Sequence, residues 1–245
     1  MTPPDILYAV CVLLLAYFVR GISGFGSGLI AVPLLALRFP LPEVVPFMLI
    51  SDFSASALVG GITFKHVAWS EIRRLLPLSL VGVVVGTSLL VSLSPTVLLT
   101  ILALFILAFA LRSLLLKPGA FKPVATAWAY PAAFTGGAVG ALFGTGGPPY
   151  VIYLSHRIED KSMLRATLSG LFFMEGLIRI VTFLIVGLLH GSEVWLNCLY
   201  AAPIILAALY AGSHVHARLS NSQMTQLIGL LLLVSSASLL LKAWI

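Results

Sequence analysis

The sequence predicts an all-α polytopic membrane protein. Eight hydrophobic segments form two four-segment repeats, inverted relative to each other, with segments 1 and 5 broken or re-entrant at glycine-rich motifs. Three observations carry that reading. First, 60% of the 245 residues are apolar and only 9% are charged, whereas soluble domains carry about 25% charged residues. Second, apolar stretches of membrane length, roughly 20 residues each, follow one another with short charged breaks between them. Third, one glycine tetrapeptide occurs twice, each time with prolines behind it. The same composition excludes a soluble globule, a disordered chain and a coiled coil. It also excludes a nucleic-acid partner, although the net charge is +6. Cys11 and Cys198 both lie in apolar runs, so neither a disulfide framework nor a thiolate metal cage is expected.

The segments run approximately over 6–38, 44–64, 75–93, 96–116, 126–155, 164–189, 194–215 and 223–244. The first begins without a basic stretch or a small-residue cleavage site, so no cleaved signal peptide is expected. It is about 30 residues long and is interrupted by four glycines between Gly21 and Gly28, then by Pro33. The second carries Asp52 at its middle and ends at Lys65-His66. The third starts behind Arg73-Arg74 and stops at Leu93-Ser94-Pro95. The fourth runs to the charged linker from Lys117 to Lys122. The fifth is again about 30 residues long, broken by six glycines between Gly136 and Gly147 and by Pro148-Pro149. The sixth follows Arg157 to Lys161 and holds Glu175 and Arg179. The seventh and eighth are separated by Arg218. Trp69, Trp128, Trp195 and Trp244 lie near segment ends, as interfacial aromatic belts require.

Phe25-Gly26-Ser27-Gly28 recurs 118 residues later as Phe143-Gly144-Thr145-Gly146. Pro77, Gly86 and Leu93-Ser94 recur 126 residues later as Pro203, Gly212 and Leu219-Ser220. The halves are therefore about 1–118 and 119–245. Charge decides their relative orientation. If every segment crossed once, the two sides would hold seven and five Lys or Arg. If segments 1 and 5 dip in and return, one side holds Lys65, Arg73, Arg74, Arg112, Lys117, Lys122, Arg157, Lys161, Arg165 and Arg218. The other side then keeps Arg38 and Lys242. Ten against two satisfies the positive-inside rule, and it makes the halves antiparallel.

Broken backbone inside a bilayer is tolerated only where protein or a water-filled cavity satisfies it. A half-helix that starts behind such a break points free N–H groups and a positive dipole end at it. Gly24, Gly26, Gly28, Gly144, Gly146 and Gly147 permit close main-chain approach, and Ser23, Ser27 and Thr145 add hydroxyl donors. Two breaks meeting at mid-membrane would bind an anion. The competing reading is that small residues only let helices pack closely.

These motifs carry a family resemblance. Residues Arg20 to Pro33 and Gly140 to Pro149 resemble the paired glycine motifs of the sulfite exporter TauE/SafE family. Lys65-His66-Val67, Gly82 to Gly86, Leu93-Ser94-Pro95 and Arg165-Ala166-Thr167 are similar to further parts of it. The resemblance implies a permease, usually an exporter, for sulfite, sulfonates or related sulfur-containing anions in the inner (plasma) membrane. It does not fix the anion. Ser27 stands where many members carry a further glycine.

An ionisable residue at the centre of a span costs about 2.5–3.5 kcal/mol on insertion scales, which makes each a functional candidate. Arg20 precedes the first motif. Asp52 has no partner one turn away and must be met from another segment. Glu175 and Arg179 are four apart and share a helix face, which allows a structural salt bridge. Asp52 and Glu175 hold similar places in the two halves, and either is a candidate to carry a coupling proton. Asp52 is the preferred one, because Arg179 is placed to hold Glu175 ionised. Arg165 is a candidate anion ligand or a topology anchor. His214 and His216 are two apart and do not share a face, so no metal site is expected. No cofactor and no enzymatic constellation are expected. The function expected is secondary transport of a small sulfur oxyanion by alternating access. A passive anion channel and a non-transporting membrane subunit are the alternatives. Oligomeric state is not readable from the residues.

Overall fold

The structure, a computed structural model, describes residues 3–23, 26–60, 66–115, 123–144, 147–215, 232–233 and 235–242. Every regular element among them is helical. In order these are α1 (Pro3–Ser23), α2 (Ser27–Leu35), α3 (Leu41–Gly60), α4 (Trp69–Ser92), α5 (Pro95–Leu115), α6 (Ala129–Phe143, led in by a short 3-10 turn), α7 (Gly147–Ser155), α8 (Lys161–Ile185) and α9 (Ser192–Val215). Residues 235–242 are also helical. Most of the expected eighth segment, with Arg218, lies outside the described residues. Among the described residues five helices are long and apolar enough to cross a membrane: Pro3–Ile22, Trp69–Ser92, Pro95–Arg112, Ser162–Ile185 and Ser192–His214.

The bundle presents apolar side chains outward. Leu80, Val81, Val84 and Val91 on α4, and Leu196, Leu199, Leu206 and Tyr210 on α9, are all exposed. Serine, threonine, glutamate and arginine are among the buried residues instead. That distribution fits hydrocarbon as the solvent.

Two helical hairpins organise the chain. Gly26, at φ 95°, separates α1 from α2, and Gly144, at φ 64°, ends α6 before α7. A left-handed backbone of this kind suits glycine, which lacks the Cβ that would be strained there. Each hairpin starts and finishes at the same end of the bundle. Asp5 pairs with Arg38 at 3.0 Å, and the Tyr8 hydroxyl donates to the Leu34 carbonyl at 2.7 Å. At the opposite end the Val124 amide donates to the His156 carbonyl at 3.3 Å, and Arg157 reaches the Val124 carbonyl at 3.1 Å. Lys242 donates to the carbonyls of Ala36 and Leu37, so the last helical stretch finishes at the base of the first hairpin.

The two hairpins dock reciprocally. α1 packs along α9, and α6 packs along α4. Glycine makes both contacts close. A Cβ on Gly86 would overlap the Ala138 carbonyl, and one on Gly212 would overlap the Phe18 carbonyl. A Cβ on Gly21 would lie 2.6 Å from the Leu209 carbonyl oxygen. Small residues are how helices gain contact where the surrounding solvent is as apolar as their side chains. Between the hairpins, α3 packs on α8.

The third segment begins six residues before the expected 75. Hydropathy places the boundary behind Arg73-Arg74, yet α4 starts at Trp69. Its charged first turn is helical because Glu71 is buried there, accepting from Tyr153 at 2.6 Å and pairing with Arg157 at 3.1 Å and Arg74 at 2.9 Å. At the start of α8, Asp160 caps the helix by accepting from the Met163 amide at 2.7 Å.

Candidate anion site between the two hairpin tips

Both hairpin tips end in one cavity of about 50 Å³, enough for a few waters. Gly26, Ser27, Gly28 and Leu29 line it from the first tip, and Gly144 and Gly147 from the second. Its flanks are single faces of α3 and α8. Leu49, Asp52, Phe53 and Ser56 come from one, and Phe172, Glu175, Gly176 and Arg179 from the other. Each residue of the first set has its counterpart 123 positions later in the second. Asp52 and Glu175 sit about halfway along α3 and α8, so the cavity lies midway along these two helices.

The remaining wall residue is Arg20, in the last turn of α1. It reaches Asp52 on α3 as a close ion pair through Nη1, and its Nη2 donates to the Ser56 hydroxyl at 2.7 Å. Asp52 Oδ1 also accepts from the Tyr17 hydroxyl at 2.7 Å and from Ser27 at 2.8 Å. One carboxylate oxygen thus has three donors. Asp52 thus meets its partner from another segment, and that partner is Arg20.

Glu175 is arranged differently. It is fully buried, and its Oε1 accepts from the Tyr150 hydroxyl at 3.0 Å, with Ser79 at 3.5 Å. Its Oε2 has no hydrogen-bond partner among the described residues. Arg179, one turn on, does not pair with it. Nη1 of Arg179 donates to the Gly140 carbonyl at 2.9 Å, and its Nε has no hydrogen-bond partner among the described residues. The expected Glu175–Arg179 salt bridge is therefore absent, because the guanidinium is drawn across to the end of α6.

That placement matters electrostatically. A helix that ends at a break presents partial negative charge there, and one that starts presents partial positive charge. Arg20 sits in the last turn of α1, and Arg179 binds a last-turn carbonyl of α6. Each arginine offsets the negative end of the entering helix. The starts of α2 and α7 keep their positive ends toward the cavity. Of the fourteen Lys and Arg residues, twelve fall in the loops and segment ends counted above, and the other two are Arg20 and Arg179.

The glycine runs divide between the two readings offered for them. Gly21, Gly136 and Gly137 pack, against α9, the Tyr150 ring and the Ser79 carbonyl respectively. Gly26, Gly28, Gly144 and Gly147 line the cavity. Gly24, Thr145 and Gly146 lie outside the described residues, as does the side chain of Ser23. Arg165 belongs to the second turn of α8, ten residues before Glu175. That is about 15 Å along the helix, away from the cavity. Tyr17 and Tyr150 are partners that the sequence reading missed. They are not repeat-equivalent, so the only usable signal was the matching face of α3 and α8.

An all-helical bundle whose described residues include five helices of membrane length is that of a multi-pass membrane protein. The chain belongs to the sulfite exporter TauE/SafE family, whose profile matches residues 9–239. It is 27% identical over 200 residues to the probable inner membrane transporter protein TsaS of Comamonas testosteroni, covering 80% of this chain and 82% of that protein. No solved structure matches the chain.

Proposed function

We propose that this protein is an inner-membrane secondary transporter that exports a small sulfur-containing oxyanion, such as sulfite or an organosulfonate. The family description and the similarity to an inner membrane transporter support the class and the location. The observation that carries the mechanism is the convergence of both hairpin tips, Arg20 and Arg179 on one cavity midway along α3 and α8. In this reading residues 1–118 and 119–245 are inverted repeats, and each hairpin is re-entrant. The anion binds at Gly26, Ser27, Gly28, Gly144 and Gly147, held by the first amides of α2 and α7 and by the free Nε of Arg179. Arg20 and Asp52 form the fixed wall. Alternating access rocks one hairpin and its docking helix against the other around this site. Thr145 and Gly146 join the site as the repeat counterparts of Ser27 and Gly28.

A channel would use the same residues, so the decisive test is kinetic. Purified protein in liposomes is expected to show saturable uptake of labelled sulfite or sulfoacetate, and counterflow driven by unlabelled anion inside. Unitary currents without counterflow would establish a channel instead. No flux from the purified chain alone would establish a non-transporting subunit.

A further inference from the structure

We propose that Glu175 takes up a proton as the anion binds, so that proton and anion cross together. This inference rests on the anion site proposed above. The cavity wall is charge-balanced as it stands: Arg20 and Arg179 face Asp52 and Glu175. A monoanion entering that wall leaves one uncompensated negative charge in a low-dielectric space. Protonating one carboxylate restores the balance, and the wall offers two.

Geometry chooses between them. Asp52 Oδ1 is held by Arg20, Tyr17 and Ser27, and a proton on that carboxylate would dismantle an ion pair. Among the described residues Glu175 is in no ion pair, and its Oε2 is a buried oxygen without a donor. Protonation there breaks nothing: Oε1 keeps Tyr150 and Ser79, and Oε2 becomes a hydroxyl that can donate to an anion oxygen. The free Nε of Arg179, one turn away in the same wall, supplies the second donor. An ionised Glu175 would repel the anion from that same guanidinium. The proton comes from solvent on the side where the anion enters and leaves with it on the other.

The other groups that could titrate in response are accounted for. Asp52 on α3 is paired to Arg20 of α1. The Tyr150 hydroxyl on α7 lies within hydrogen-bond distance of Glu175 and Ser79. The acid of α4, Glu71, lies at that helix's first turn, where Arg74, Arg157 and Tyr153 hold it. Glu175 is the acid that stands in the cavity without a cation bound to it.

The test is proton uptake by the full-length protein in detergent, in weak buffer with a pH-reporting dye. The probes are thiosulfate and methanesulfonate, anions of strong acids that bring no proton of their own. Wild-type protein is expected to take up protons on adding either anion. Reciprocity requires that its anion affinity then fall about tenfold per pH unit on the alkaline side. Glu175→Gln is expected to take up none and to bind with an affinity that no longer varies with pH. Glu175→Asp should restore both effects, and it keeps the proposal testable if the glutamine variant does not fold. Wild-type binding without proton uptake, or uptake undiminished in Glu175→Gln, would overturn the inference while leaving the anion site standing. No binding of either anion by wild type would overturn the site itself, and the inference with it.

Discussion

Arg179 Nη1 donates to the Gly140 carbonyl at 2.9 Å and so ties the middle of α8 to the last turn before the Gly144 break. The same carbonyl accepts from the Gly144 amide, also at 2.9 Å. One guanidinium thus positions the end of α6, while its Nε has no hydrogen-bond partner among the described residues. A lysine carries the charge but lacks the planar fork that presents both nitrogens. Arg179→Lys is expected to weaken anion binding at least about tenfold, since a hydrogen bond to a charged group is worth about 1.5–3 kcal/mol. Isothermal titration with thiosulfate measures it, and an unchanged Kd would remove Arg179 from the site.

The glycines that dock the hairpins make a separate claim about stability. Gly86 and Gly212 are 126 positions apart and face backbone carbonyls across α4–α6 and α1–α9. An alanine Cβ at either must push two backbones apart, and overpacking of this kind costs about 1–3 kcal/mol. Gly86→Ala and Gly212→Ala are each expected to lower the melting temperature in detergent. Gly191→Ala, where a Cβ meets nothing within 4 Å, is the control and should leave it unchanged. Equal melting temperatures for all three would show that the close docking is not what holds the hairpins.

Orientation follows from the hairpin ends. Ser94 precedes α5 at the end of the bundle where Asp5 meets Arg38, and Glu159 precedes α8 at the end where Val124 meets His156. Both residues are exposed. The excess of Lys and Arg on the Glu159 side predicts that side to be cytoplasmic. With Cys11 and Cys198 replaced by serine, a cysteine at position 94 is expected to label in intact cells. One at position 159 should label only after permeabilisation. Labelling of both from outside would refute the re-entrant arrangement.

The extent of the helices was legible because apolar run length and charge breaks are local properties of the chain. Segments 2, 4 and 7 lie within a few residues of α3, α5 and α9. The positive φ at Gly26 and Gly144 falls inside the two glycine motifs, because glycine acts on the backbone wherever it stands. What the sequence did not disclose is partnership. Glu175 and Arg179 share a helix face, and local spacing makes them a pair. Gly140 on another helix takes Arg179 instead, while Tyr150 and Ser79 take the carboxylate. Arg20 and Asp52 are 32 residues apart, and no periodicity links them. Charged residues beside an apolar run read as loop, which concealed the first turn of α4 and the burial of Glu71.

That first turn gives the last prediction. Glu71 is the hub of a cluster at the base of the second hairpin. Arg157 and Arg74 both donate to its Oε1, while the Tyr153 hydroxyl donates to Oε2. The three contacts differ in exposure, and exposure sets their worth. The Glu71 side chain is 8% exposed, Arg157 is 24% exposed and Arg74 is 48% exposed. Removing a buried ion strands its partners and costs about 3–5 kcal/mol, less here because solvent reaches both arginines. An exposed i,i+3 pair contributes about 0–1 kcal/mol. Unfolding in mixed micelles should therefore rank the variants Glu71→Ala as most destabilised, Arg157→Ala as intermediate and Arg74→Ala as near wild type. The Glu71 loss also unties α4 from the base of α7, so loosening is expected at 153–157 in hydrogen exchange before global unfolding. If Arg74→Ala proved as damaging as Glu71→Ala, the cluster would owe its strength to surface charge rather than to the buried carboxylate.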